Sequence, residues 1–155
     1  MSRFNHLEPS NLFKALEVAT PKDTLPATHT LLDAARFNKD GLLPAIAQQH
    51  DTGEVLMMAW MNREALEETL TTQQVCYYSR SRQKLWRKGE SSGQQQRLKS
   101  AALDCDGDTL LLQVEQTGPA CHTGRRSCFY ISMDSEQATI NSEPLIDPAT
   151  LYGKK

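Results

Sequence analysis

No stretch of the chain approaches the ~20 consecutive apolar residues that a membrane helix needs, so a helical span is not expected. The opening residues, Met1-Ser2-Arg3-Phe4-Asn5-His6, lack the apolar centre of a secretory signal. Neither sign of charge is in excess. Lys and Arg number 17 against 19 Asp and Glu, and the net charge of −2 gives no basis for bulk binding to nucleic acid or to an anionic membrane. Cysteine is limited to four residues, and in an unexported chain these favour thiols or metal ligands over disulfides. Internal repeats and low-complexity blocks are missing. These absences lead us to expect a cytoplasmic protein with no nucleic-acid or membrane partner. What is present, 155 residues of which 39% are hydrophobic, suffices for one domain with a real core.

The chemistry concentrates between Asp104 and Cys128. That stretch opens with Asp104-Cys105-Asp106-Gly107-Asp108 and closes with Gly118-Pro119-Ala120-Cys121-His122-Thr123-Gly124-Arg125-Arg126-Ser127-Cys128. Cys105, Cys121 and Cys128 supply three thiolates for zinc. Their spacing matches no zinc-finger pattern, and three ligands without an obvious fourth leave a place for water, as in catalytic sites. Water held there loses a proton near neutral pH. Asp104, Asp106 and Asp108 alternate with other residues, so in an extended segment they share one face. Clustered carboxylates repel unless a cation sits among them, and magnesium suits oxygen ligands and bridges to phosphate.

Blander readings compete. Cysteines are often buried small hydrophobes, which is the better account of Cys76 between Val75 and Tyr77. It is weaker for the other three, which sit among polar, Gly-rich residues. An Asp-Gly pair between strands is often only a turn. Asp104, Asp106, Asp108 and Glu115 also have EF-hand spacing, but the sixth loop position is Thr109, not glycine. A lone histidine is more often structural than catalytic. His122, however, directly follows a zinc-ligand candidate, which raises its claim as the acid–base group.

Arg80 to Lys99 holds seven basic residues and one acid, Glu90. An ordinary solvated face accounts for such a run. The functional alternative is a pocket for a phosphorylated nucleotide, with Arg80, Arg82 and Lys88 on phosphate and Trp86 stacked on a base. Gly89 and Ser91-Ser92-Gly93 let backbone amides approach an anion, with Glu90 beside them. The same cluster would serve RNA, which makes a zinc-stapled RNA-binding module the non-enzymatic alternative. A zinc nucleobase deaminase is the alternative enzyme, but that class needs His-x-Glu and Pro-Cys-x-x-Cys. The one His-x-Glu is His6-Leu7-Glu8, and Cys121 and Cys128 are too far apart for the second motif.

Residues 1–30 read as an N-terminal extension, a loosely docked arm with Ser10 capping a short helix through Val18. A short amphipathic turn is expected over Leu31–Phe37, and a hairpin of Pro44–Gln49 and Glu54–Trp60 around Asp51-Thr52-Gly53. Asn62 caps a helix to about Leu70, followed by a strand over Val75–Ser79. Gln95–Leu103 and Thr109–Gln116 form two strands joined by the aspartate turn, and Phe129–Met133 a last one. The main domain spans residues 31–133, and 134–155 read as a polar tail. The expected class is α+β, a mostly antiparallel sheet with a few short helices.

From about Leu31 to Tyr130 the chain resembles the phosphoribosyl-AMP cyclohydrolase family of histidine biosynthesis. The resemblance is carried by Gly41-Leu42-Leu43-Pro44-Ala45-Ile46, the run Gly53 to Asn62, Tyr78-Ser79-Arg80-Ser81-Arg82, the run Leu85 to Gly93, and the two blocks above. It implies a hydrolase that adds water at C6 of an adenine ring whose N1 carries ribosyl phosphate, breaking the N1–C6 bond. It implies zinc on Cys105, Cys121 and Cys128, one per subunit, with the first cysteine contributed across the interface of an intertwined homodimer. Magnesium falls to Asp104, Asp106 and Asp108. Where the family often has histidine after the Ser-Gly pair, this chain has Gln94, so the acid–base role falls to His122. Some relatives continue into a pyrophosphohydrolase domain, for which too few residues follow here.

Overall fold

The computed structural model describes residues 2–152. Met1 and residues 153–155, the outer ends of the expected extension and tail, lie outside the described residues. Helix α1 is Pro9–Leu16, with Glu8 rather than Ser10 at the cap and no side-chain capping bond. Pro9 takes the cap's place as the start signal, since its φ is already helical and its missing N–H is one the first turn leaves unpaired anyway. Helix α2, Thr28–Ala34, begins three residues before the expected turn.

Strands β1 (Leu43–Gln49) and β2 (Val55–Met61) form the expected hairpin around Asp51-Thr52-Gly53. Asn62 then caps helix α3 (Arg63–Thr72), its Oδ1 accepting the Ala65 N–H at 2.8 Å. Strands β3 (Cys76–Ser79) and β4 (Lys84–Arg87) pair as a separate two-stranded sheet. Strands β5 (Gln96–Leu103) and β6 (Leu110–Gln116) pair across the aspartate turn.

The main sheet has the order β2-β1-β6-β5, and β1 runs parallel to β6. The sheet is therefore mixed. Parallel neighbours need a long crossover, and here α3, the β3–β4 sheet and β5 all lie between the two strands in sequence. Its inner face buries Leu43, Ala45, Leu56, Met61, Leu112 and Val114 against Leu66 and Tyr77.

Two expectations need correction. The N-terminal arm is packed rather than loose: Phe4, Leu12 and Phe13 are buried with Ala34 in a second apolar cluster, which meets the first at Leu103. The polar C-terminal residues also have structure. Strands β7 (Ile131–Met133) and β8 (Ala138–Ile140) form a hairpin, and α4 spans Pro148–Tyr152. Among the described residues no helix is long and apolar enough to cross a membrane.

Candidate active site

The aspartates converge, but through a turn and not through the pleat of a strand. Between β5 and β6 the Gly107 N–H donates to the Asp104 carbonyl at 3.0 Å, and the Asp108 N–H donates to Asp104 Oδ1 at 3.0 Å. Gly107 permits this with φ +70°. One carboxylate oxygen from each of Asp104, Asp106 and Asp108 then lies within 4.8 Å of the others, all on exposed residues. Burial pushes the Asp104 carboxyl up, but the amides of Asp108, Thr109 and Gly107 outweigh it and hold the group low. Sharing a hydrogen bond with Asp104 raises Asp108 in turn. An exposed, all-oxygen donor set fits a hard, hydrated cation such as magnesium.

The second donor set is built by the loop after β6. Its ends are tied by Ala120 N–H to Arg126 O at 2.9 Å and Cys121 N–H to Arg125 O at 3.1 Å, while Cys128 N–H reaches Leu56 O of β2 at 2.7 Å. Arg126 staples the loop from inside, donating to the carbonyls of Gly118 and Gln116 and to Gln49 Oε1. This brings the Cys121 and Cys128 thiols near enough to act on one another. Cys128 is exposed at the surface of the single chain, yet desolvation of its sulfur, then the neighbouring Cys121 thiol, pushes the thiol up to about 12, with Lys88 opposing. Thr123 Oγ1 lies 3.1 Å from Cys121 Sγ. Two neighbouring thiols suit zinc, which displaces thiol protons when it binds.

Cys105 is not with them. It is exposed in the aspartate turn, and the described residues of one chain bring no third His, Cys, Asp or Glu ligand to the Cys121–Cys128 pair. Cys76 is buried and its thiol is raised to about 11, mainly by burial, in keeping with its reading as a core residue. His122 is exposed beside Cys121.

The basic segment is divided. Arg80 and Arg82 lie at the turn joining β3 to β4, where Arg80 stacks on the Trp60 ring at 4.9 Å. Lys88 follows the other end of the hairpin, four residues or ~13 Å away at strand rise. Trp86 is half-buried with its ring 5.4 Å from that of Tyr77. Lys88 is buried, and its ammonium donates to the Ala120 carbonyl at 2.6 Å. In one chain, then, Arg80, Arg82 and Lys88 do not share a pocket. Glu90 and Ser91 are exposed, Glu90 Oε1 accepting the Arg87 N–H at 3.2 Å. Ser92 Oγ accepts the Gln94 N–H at 3.2 Å, and Gly93 sits at φ +81° in the same turn.

The reading from sequence missed Arg126, Thr123 and the buried state of Lys88. The paired Arg125-Arg126 inside the cysteine loop was the available signal, but its carbonyl partners are set only by folding. A cavity of about 420 Å³ lies elsewhere, between α1, α2, α3 and β5, lined mainly by Phe13, Leu25, Leu31, Leu70 and Ala102, with Asp104 and Cys105 at its rim. Its apolar walls do not suit a phosphorylated nucleotide.

Comparison with known proteins bears on this arrangement. Residues 57–130 match the family described as phosphoribosyl-AMP cyclohydrolase. The chain is 68% identical to the phosphoribosyl-AMP cyclohydrolase of Chromohalobacter salexigens over 92% of its own length and 97% of that protein. It is also 68% identical to that of Alkalilimnicola ehrlichii, over 91% of this chain and 99% of the relative. A third such protein, from Halorhodospira halophila, is 65% identical over 88% of this chain and 96% of its own. With the thiol pair and the carboxylate triad both inside the shared region, the chain belongs to the phosphoribosyl-AMP cyclohydrolase family.

Proposed function

We propose that this protein hydrolyses phosphoribosyl-AMP in histidine biosynthesis, opening the adenine ring at the N1–C6 bond, with a soft metal on its thiols and a hard one on its carboxylates. The observation that carries the metal assignment is the separation of donors into a sulfur pair, Cys121 and Cys128, and an oxygen triad, Asp104, Asp106 and Asp108. Cys105 completes the zinc set. When bound, zinc supplies the Lewis acidity that makes a nucleophile of water at neutral pH, and magnesium supplies charge for a substrate phosphate.

The chain's own residues do the rest. His122 takes or returns the proton at the nitrogen freed when N1–C6 breaks. Arg80 and Arg82, exposed on their turn, fork onto phosphate. Trp86 offers a ring edge to the base, and the Glu90–Gly93 turn offers amides and hydroxyls to the sugar phosphates. Residues 31–133 carry this chemistry, and the segments before and after brace it. A cytoplasmic setting goes with a biosynthetic role.

The zinc set needs a second copy of the chain, because Cys105 stands apart from the other two thiols. A surface for that copy is present. On the outer face of the main sheet Met58, Ile46, Leu111 and Ala102 form one row in register across all four strands. Met58 is 44% and Leu111 38% exposed, an apolar band of the kind that interfaces cover. We assign it to an intertwined homodimer with one zinc per subunit.

The test is an ultraviolet assay of ring opening on phosphoribosyl-AMP, run alongside metal analysis of the purified protein. The expected result is ring opening that requires zinc, with Cys105→Ala losing zinc and activity together. Full activity from zinc-free Cys105→Ala protein overturns the zinc assignment. Release of ammonia without ring opening overturns the reaction.

A further inference from the structure

We infer that Lys88 is the internal counter-charge of the zinc thiolates and the residue that positions the Cys121 loop, and that it does not grip substrate phosphate. The inference rests on the reading of Cys121 and Cys128 as zinc ligands.

Lys88 is 7% exposed. Buried ammonium groups are costly unless an anion and hydrogen-bond acceptors meet them. Among the described residues no carboxylate lies within ion-pair distance of Lys88; its ion pairs are absent where those of Arg63, Arg87 and Arg126 are present. Its ammonium instead donates to the carbonyl of Ala120, the residue immediately before Cys121, at 2.6 Å. The Trp86 ring covers another side at 5.6 Å. Burial pushes the Lys88 ammonium below its ordinary value, and Cys128 and then Cys121 oppose that shift. A buried amine with no carboxylate in reach, bonded to the carbonyl that precedes Cys121, has its natural counter-charge in the thiolates that a bound zinc would hold.

The charges balance on this view. Three thiolates around one divalent zinc carry a net charge of −1, and one ammonium cancels it. In a partly buried site an uncancelled charge weighs far more than in water. The backbone holds the lysine to this task. Lys88 N–H donates to Val75 O at 3.0 Å, fixing the residue to the sheet. Gly89 follows at φ +88°, where a side-chain carbon would lie 2.7 Å from the backbone of Gln94 and Gln95. The chain can therefore turn back directly after Lys88, and only glycine allows the turn.

The experiment measures zinc affinity by chelator competition on the full-length protein, the sulfur-to-cobalt charge-transfer band after cobalt substitution, and KM for phosphoribosyl-AMP at saturating zinc. Lys88→Met keeps the length of the side chain without its charge. It is expected to weaken zinc binding ~10- to 100-fold, the range for outer-shell partners of a metal site, and to shift the cobalt band while KM stays unchanged. Lys88→Arg is expected to recover most of the affinity. Lys88→Gln can still donate to the Ala120 carbonyl and stands in if the methionine variant does not fold. It lacks the charge and should weaken zinc binding and shift the band as well. Wild-type zinc affinity in Lys88→Met or Lys88→Gln overturns the proposal, as does a raised KM with unchanged zinc binding, which is the mark of a phosphate contact. If wild-type protein and a Cys121→Ala/Cys128→Ala variant bind zinc equally, the ligand assignment itself has failed, which separates that failure from this one.

Discussion

The ring of Phe13 in α1 occupies the space that a side chain on Gly107 would need: a carbon built there would stand 2.4 Å from the ring. The N-terminal arm thus packs directly onto the turn that carries Asp104, Asp106 and Asp108. The Arg36 N–H adds a second tie, donating to the Gly107 carbonyl at 2.7 Å. Phe13→Ala should destabilise the fold by about 3 kcal/mol, the lower end for a buried aromatic, because the site is near the surface and can partly collapse. Manganese binding at the aspartates, followed by electron paramagnetic resonance, should weaken in the same variant, and zinc affinity should fall with it, since Cys105 shares that turn. Urea denaturation checks the first effect, and a midpoint equal to wild type would show that the arm braces nothing.

What was legible in the sequence was what is local. Asn62 announced its cap by standing before an amphipathic run, and Asp51-Thr52-Gly53 announced a hairpin between two apolar strands. The aspartate turn was placed correctly between β5 and β6, although the means of convergence was not. Distant pairing was not legible. The contact of Gln113 Nε2 with Gln48 Oε1 at 2.7 Å joins residues 65 positions apart, and nothing in either segment encodes that β1 and β6 run parallel. Lys88 was hidden for a different reason. In the sequence it is one of seven bases, and only the fold shows that it alone of the proposed phosphate grips faces inward. The thiols stand out in the sequence, but only the fold shows that Cys105 lies apart from Cys121 and Cys128 within one chain.

Glu68 on α3 and Arg87 on β4 form a two-pronged ion pair, both contacts at 2.8 Å. The Arg87 hydrogen bonds hold the Glu68 carboxyl below its ordinary value of 4.5. Since the folded pKa is the lower one, the unfolded chain takes up the proton first as pH falls. The stabilisation is complete above pH 4.5 and is lost as pH drops through the folded value. Glu68→Gln should therefore be less stable than wild type at pH 7, with the gap closing in more acid solution. Both groups are partly exposed, so the effect is small and screened by salt. Paired denaturation curves from pH 7 to pH 3 read it, and a gap that stays constant across that range would contradict it.

Tyr77 is fully buried and its hydroxyl donates to Gln96 Oε1 at 2.7 Å, while Gln96 Nε2 points to the Met57 sulfur at 3.2 Å. Tyr77→Phe leaves the amide oxygen without a donor and without water, a loss of about 1–3 kcal/mol. The hydroxyl makes no bond to a thiol, so zinc content and KM should not change. Thermal unfolding with metal analysis separates the two. A Tyr77→Phe protein of wild-type stability would mean that Gln96 finds another partner.

The strongest prediction concerns Cys105, because its distance from the other thiols makes a claim about two chains. Cys105→Ala and the double variant Cys121→Ala/Cys128→Ala should each be inactive as homodimers. In a mixed dimer, one of the two sites draws Cys105 from the double variant and the thiol pair from the single variant, and is complete. The other site has no thiolate at all. Equal mixing by unfolding and refolding makes half the dimers mixed, each with one working site of two, so activity should return to about a quarter of wild type, as two-fold symmetry requires. Zinc content should recover in proportion. If the mixture stays as inactive as its parents while wild-type protein survives the same refolding, each chain closes its own zinc site, and the apolar row on the sheet needs another explanation.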